Sequence, residues 1–285
     1  MVSAVVFCMS QRGHFSRLVP IIEGLVRSGA AVHVFTDRLF HTEIEAAGGV
    51  AVDLYSRYSI EKADSISQPN PCRYISFADA YAEAIAAEVQ QLSPSVVLYD
   101  TFAYIGFVVA RILDLPGINV CAGHNQHPGC VPEQKQNFPS IHIGPACRNA
   151  VENLKMRYGI DADPFAFLTA LSPQLNIICE PPQFLPDVDR GWFEPVAFFG
   201  SVRERQLARP NSYSSTPVEA GSAKTQELRL YISFGTVIWS FYPDQARAAL
   251  QVIVKAVAEM PQLSAVVSLG NSPSGDLDYW AKSVG

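Results

Sequence analysis

What this sequence has little of narrows its chemistry first. Charged residues make up only 17% of its 285 positions and hydrophobic ones 48%. That is too apolar for intrinsic disorder and ample for a packed core. There is no basic excess: 21 Lys and Arg face 27 Asp and Glu, a formal charge of -6. Nucleic acid is therefore excluded as the main partner, because phosphate binding needs a basic surface. The six cysteines, at 8, 72, 121, 130, 147 and 179, show no CxxC spacing and read as reduced thiols in a cytosol. Long hydrophobic runs are missing too. The stretch Phe102 to Leu115 is interrupted by Arg111 and Asp114 and is too short to span a bilayer. The apolar start, Val2 to Met9, lacks a basic n-region and runs into Gln11 and Arg12, so it reads as a buried strand and not as a signal peptide. The expectation is a cytoplasmic protein with no membrane span. GxSxG, GxxxxGK and GxGxxG are all missing, which removes common hydrolase, P-loop and dinucleotide signatures.

What is present alternates. Ala4 to Met9 is a continuous apolar run, as expected of a strand buried on both faces. Phe15, Leu18, Val19, Ile22, Leu25 and Val26 then follow at helical spacing, and Gly29 is placed as a C-cap. The same reading gives strands at Ala31 to Thr36, Val50 to Tyr55, Ser95 to Tyr99 and Gly117 to Cys121. Helices fall at Leu39 to Ala47, Tyr74 to Leu92 and Tyr104 to Leu113. Residues 123–172 read as loop-rich, with further strands at Leu175 to Cys179 and Val196 to Phe199. Such βαβ alternation predicts an α/β fold with a doubly wound parallel sheet. Residues 203–227, rich in Ser, Pro, Arg and Gln, read as a linker between a Rossmann-like domain at 1–202 and the start of a second at 228–285. The second region offers strand Leu228 to Phe234, helix Asp244 to Glu259 and strand Ser264 to Leu269. It is expected to be incomplete, since a doubly wound domain usually takes roughly a hundred residues or more.

In open α/β sheets, ligands bind beyond the carboxyl ends of the strands, where the strand order reverses. In the order 3-2-1-4-5, that point lies between the first and fourth strands. Gly13-His14 follows the first, and Asp100 ends the fourth. Neighbouring strands lie about 4.8 Å apart, so imidazole and carboxylate can meet, which fixes the tautomer and leaves the second nitrogen as a base. On position alone, His14 also reads as a capping or packing residue and Asp100 as an N-cap.

The segment RGHFSRLVPIIEGLVRSGAAVHVFTD resembles the opening of nucleotide-sugar glycosyltransferases of the macrolide glycosyltransferase and UDP-glucuronosyltransferase kind. These have the GT-B fold. The shared pattern is Gly-His after a strand, Pro20 six residues beyond the His, a leucine-rich helix and a Gly before the next strand. VVLYDTFAYIGFVVARILDLPGI resembles the family's second landmark, QLNIICEPPQFLPDVDRGWFEPVAFFGS the approach to its interdomain linker, and LYISFGTV the strand that opens its donor domain. The resemblance implies an inverting transfer of a hexose from a UDP- or dTDP-sugar to a small hydrophobic acceptor. It implies no covalent intermediate, no metal, and no cofactor beyond the nucleotide-sugar co-substrate. It makes His14 the catalytic base and Asp100 its partner, and sets Gly13, Gly235 and Thr236 near the donor. The family's donor signature, a Trp-Pro-Gln segment and a His- and Gly-rich loop, does not occur within the 285 residues. A C-terminally truncated chain is therefore expected, with a partner chain or further segment completing the donor domain and little transfer by these residues alone.

Phe15, beside the base, and Phe102, just after Asp100, are expected to face the acceptor. Cys121, His124, His127 and Cys130 form C-x2-H-x2-H-x2-C, residue types that suit zinc. So short a span containing Pro128 and Gly129 can hardly wrap one ion. The loop is instead read as part of the acceptor site, with His124 and Asn125 as acceptor-binding residues. Two other readings remain: a non-catalytic acceptor-binding half of a split glycosyltransferase, and a sugar-nucleotide epimerase sharing the two-domain fold.

Overall fold

A computed structural model describes residues 2–67, 71–122, 127–137, 142–200, 228–235, 238–239 and 243–268. The chain divides into two compact units, Met1–Ala208 and Arg209–Gly285. Residues 203–227, expected as a linker, lie outside the described residues.

In chain order the first unit runs β1 (Ser3–Phe7), α1 (Arg12–Arg27), β2 (Ala31–Thr36), α2 (His41–Ala46), β3 (Val50–Asp53) and α3 (Ile60–Ala63). It continues with α4 (Pro71–Gln91), β4 (Val96–Asp100), α5 (Tyr104–Ile112), β5 (Gly117–Cys121), α6 (Val131–Asn137) and α7 (Pro145–Tyr158). α8 (Ala166–Thr169), β6 (Leu175–Ile178), α9 (Asp187–Arg190) and β7 (Val196–Phe198) complete it. The strands form one seven-stranded sheet in the order β3-β2-β1-β4-β5-β6-β7. Every neighbouring pair is parallel. The 3-2-1-4-5 order read from the sequence is thus extended by two strands.

The period of two divides the strand residues between the faces. Ala4, Val6, Val32, Val34 and Leu98 join Phe15, Leu18, Val19, Ile22 and Ile44 of α1 and α2 in one core. Val5, Phe7, Phe35, Val97 and Tyr99 join residues of α4, α5, α7 and α8 in the other. α1 ends in a Schellman motif: Gly29, at φ +86°, donates to Val26 O, and Ala30 donates to Leu25 O.

The structure corrects the reading of residues 123–172 as loop-rich, for α7 lies there and packs on α4. Its boundary signals are present, with Pro145 at the first helical position and Gly159 left-handed just past the end. Only Cys147, Ala150 and Leu154 are fully buried in it, so its apolar stripe is too narrow to give a clear period.

In the second unit, β8 (Leu228–Ser233) and β9 (Leu263–Ser268) pair in parallel, with α10 (Pro243–Ala258) between them in the chain. Trp239, Ala246 and Leu250 form its small core. Among the described residues no helix is long and apolar enough to cross a membrane.

Candidate functional site

β1 and β4 are neighbours, with Phe7 opposite Tyr99, so the chain leaving one strand passes the tip of the other. Beyond β1 the backbone turns, Gln11 N–H donating to Met9 O at 2.8 Å, and α1 begins at Arg12. This places His14 in the first turn of α1, beside the end of β4.

His14 Nδ1 and Asp100 Oδ1 are 2.7 Å apart. Asp100 is 1% exposed and the His14 side chain 16%. The second carboxylate oxygen accepts from Met9 N–H at 3.4 Å, so the buried charge is met from two sides. A carboxylate can only accept, so Nδ1 carries the proton and the lone pair of neutral His14 lies on Nε2. The Phe102 ring meets the imidazole edge-on, 4.9 Å between centroids at 78°. Burial alone would lower the His14 pKa. The charge of Asp100 and its hydrogen bond more than reverse this, and the imidazole titrates above its ordinary 6.5.

Buried polar side chains tie the strands on this side of the sheet together. Thr101 Oγ1 donates to Asn119 Oδ1 at 2.8 Å, and Asn119 Nδ2 donates to Asn176 Oδ1 at 3.0 Å. Asn176 Nδ2 in turn reaches the carbonyls of Ser172 and Phe193. The chain links β4, β5 and β6 with its donors satisfied, as a buried network requires.

The other expected site residues fall differently. Phe102, 9% exposed, packs against His14. Phe15, expected to face the acceptor, is instead fully buried among the residues of α1 and α2 and stacks on Phe40 at 4.2 Å and 10°. Successive helix residues diverge by about 100°, so with His14 aimed at Asp100, Phe15 must turn into the core. Gly13 lies in the first turn of α1, where an added Cβ would meet nothing within 4 Å, so space alone does not require glycine. Gly235 follows β8 in the second unit with φ +68°. Thr236, His124 and Asn125 lie outside the described residues.

Of the Cys/His cluster, Cys121 ends β5 and is buried. His127 stacks on Trp192 at 4.8 Å and 14°, its Nδ1 accepts from Gly129 N–H, and its Nε2 lies 3.2 Å from Asp189 Oδ1. Two tyrosines on the α4 side were not singled out in the sequence. Tyr55, just beyond β3, donates to Cys8 O at 3.2 Å. Tyr74, in the first turn of α4, is 6% exposed and shares the core cluster of Met9 and Phe102.

No family model matches the chain. Over 236 residues, 79% of its length, it is 22% identical to a Bacillus subtilis (strain 168) protein described as an uncharacterized UDP-glucosyltransferase, YdhE. It spans 57% of that relative's length. The glycosyltransferase of kitacinnamycin superposes with a TM-score of 0.65 at 17% identity, over 96% of this chain and 67% of that one. For the calicheamicin glycosyltransferase CalG4 the values are 0.64, 20%, 100% and 67%. For SsfS6 of Streptomyces sp. SF2575, complexed with thymidine diphosphate, they are 0.56, 16%, 94% and 68%. The chain therefore has the fold of natural-product glycosyltransferases of the GT-B type, as the motifs implied.

Proposed function

We propose that this chain is part of an inverting glycosyltransferase that moves a hexose from a UDP- or dTDP-sugar to a hydroxyl of a small hydrophobic acceptor. The observation that carries the reading is the His14–Asp100 pair at the switch point of the sheet, with Nδ1 engaged by the carboxylate at 2.7 Å. That arrangement leaves Nε2 as the basic atom of a ring Asp100 holds in one tautomer. In the step itself, Nε2 takes the acceptor's hydroxyl proton as the acceptor oxygen bonds to the sugar's anomeric carbon. The bond from that carbon to the nucleoside diphosphate breaks on the opposite face, its electron pair leaves with the diphosphate, and the configuration inverts. Asp100 stabilises the imidazolium that forms. Residues 1–202 supply acceptor site and base, and 228–285 open the donor side. The UDP option rests on the description of the Bacillus relative, the dTDP option on the thymidine diphosphate bound to SsfS6.

The test uses protein purified from its host, with UDP-glucose or dTDP-glucose and a small phenol. Product analysis should give a glycoside of inverted anomeric configuration. His14→Ala should lower turnover about 10²- to 10⁴-fold, the usual contribution of a general base. Retained configuration, or wild-type turnover without His14, refutes the reading.

A further inference from the structure

Tyr74 stands apart from the other tyrosines described in the first unit. Each of those has a hydrogen-bond partner for its hydroxyl: Tyr55 with Cys8 O, Tyr58 with Glu88, Tyr81 with Ser59 O, Tyr99 with Ala170 O, Tyr104 with Thr169 and Tyr158 with Glu83. The Tyr74 hydroxyl has none among the described residues, although the residue is only 6% exposed. Nor is its oxygen one of the sealed unpartnered atoms, as those of Ser3 and Thr36 are. What little surface Tyr74 keeps therefore includes that oxygen. A buried phenol that opens onto space with its donor unused calls for a partner.

The surroundings fix what that partner is. Tyr74, Met9 and Phe102 belong to one apolar cluster, and Met9 and Phe102 keep only 8% and 9% exposure. Met9 N–H donates to Asp100, and Phe102 packs on His14, so Tyr74 belongs to the core on the face of the sheet that also supports the pair, near enough to Asp100 for its charge to act on the Tyr74 hydroxyl. The start of α4 is held firmly. Asp64 accepts from the N–H groups of Ile66 and Ser67 and from Ser76 Oγ, and Ser67 Oγ accepts from Gly144 N–H. Burial first, and then the charge of Asp100, push the Tyr74 hydroxyl well above its usual pKa. It stays an O–H and acts as a donor.

Resting on the acceptor-site reading above, we propose that Tyr74 donates a hydrogen bond to a second oxygen of the acceptor, a carbonyl or ether remote from the hydroxyl that is glycosylated, while Met9 and Phe102 cover the apolar body between. Tyr74 is then a specificity residue. It selects oxygenated ring systems over plain hydrocarbons of the same size, because a site built to bond an oxygen disfavours the analogue that lacks it.

The experiment is calorimetric binding of two bicyclic phenols to the 285-residue chain: umbelliferone, which carries a lactone carbonyl, and 2-naphthol, which does not. The wild type should prefer umbelliferone about 10-fold, and Tyr74→Phe should abolish that preference by weakening umbelliferone alone. An unchanged thermal midpoint in Tyr74→Phe shows that its fold is intact. If both phenols bind and the substitution weakens them equally or not at all, the role of Tyr74 is overturned and the acceptor-site reading stands. If neither phenol binds the wild type, both are overturned together.

Discussion

His14 Nδ1 and Asp100 Oδ1 meet at 2.7 Å across 86 residues of chain. The meeting is a product of strand order. The chain lays β2 and β3 on one side of β1, then crosses back to place β4 on the other, so the tips of the first and fourth strands become neighbours. Whatever keeps β1 and β4 in register, with Phe7 opposite Tyr99, keeps the pair.

The first prediction concerns His14, the proposed base. Followed by NMR, the His14 ring should titrate above 6.5, and Asp100→Asn should bring it down, because burial then acts on the imidazolium without an opposing charge. In the active protein, the acid limb of kcat/KM should follow the wild-type value, with rate rising as the ring loses its proton. An unchanged midpoint in Asp100→Asn would separate the two residues electrostatically and remove the basis for the pairing.

A second prediction follows from the same shift by linkage. A histidine whose folded pKa is raised binds its proton more tightly in the folded state. Its contribution to stability is full below 6.5 and is lost as pH rises through the folded value. Urea midpoints of wild type and Asp100→Asn should therefore lie further apart at about pH 5.5 than at about pH 8.5. A gap that stays constant or widens with pH contradicts the sign.

The topology and the pair were legible in the sequence because each rests on a short-range signal. Apolar runs mark the buried strands, Gly13-His14 follows one of them, and Asp100 ends another. The rest was hidden for physical reasons. α7 buries too few side chains to show a period. Phe15 and His14 are adjacent, and sequence proximity suggested a shared direction that helix geometry forbids. Tyr74, Phe77 and Tyr81 stand at i, i+3 and i+7, the spacing of a core stripe. Only the hydrogen-bond partners distinguish Tyr74 from its neighbours.

The third prediction tests how tightly α5 is seated on the sheet that carries the site. A Cβ added to Gly106 would lie 2.5 Å from Tyr99 Cβ and 2.9 Å from Phe7 Cβ. Neither strand atom can rotate away, so α5 must shift. Such overpacking costs about 1–3 kcal/mol, against about 1 kcal/mol that alanine gains over glycine in a helix. Gly106→Ala should lower the unfolding midpoint in urea. A variant as stable as wild type would mean that the helix moves off β1 and β4 freely.

The fourth prediction is that the chain takes up no stoichiometric zinc at the C-x2-H-x2-H-x2-C segment. His127 uses both ring nitrogens: Nδ1 accepts from Gly129 N–H at 3.2 Å, and Nε2 donates to Asp189 Oδ1 at 3.2 Å. A metal on either nitrogen would have to break one of these bonds and lift the ring from its stack on Trp192. Cys121 presents a second obstacle. Its sulfur accepts from Asn119 Nδ2 at 3.3 Å, but burial outweighs that bond and pushes its pKa up to about 11. Zinc binds the thiolate, so ligation there must first remove a proton that the site holds firmly. Elemental analysis after zinc exposure and desalting should therefore find far less than one ion per chain, and Cys121→Ser should change nothing. One zinc per chain in the wild type, lost in Cys121→Ser, would mean that the segment rearranges around a metal and that the His127–Asp189 contact gives way to it.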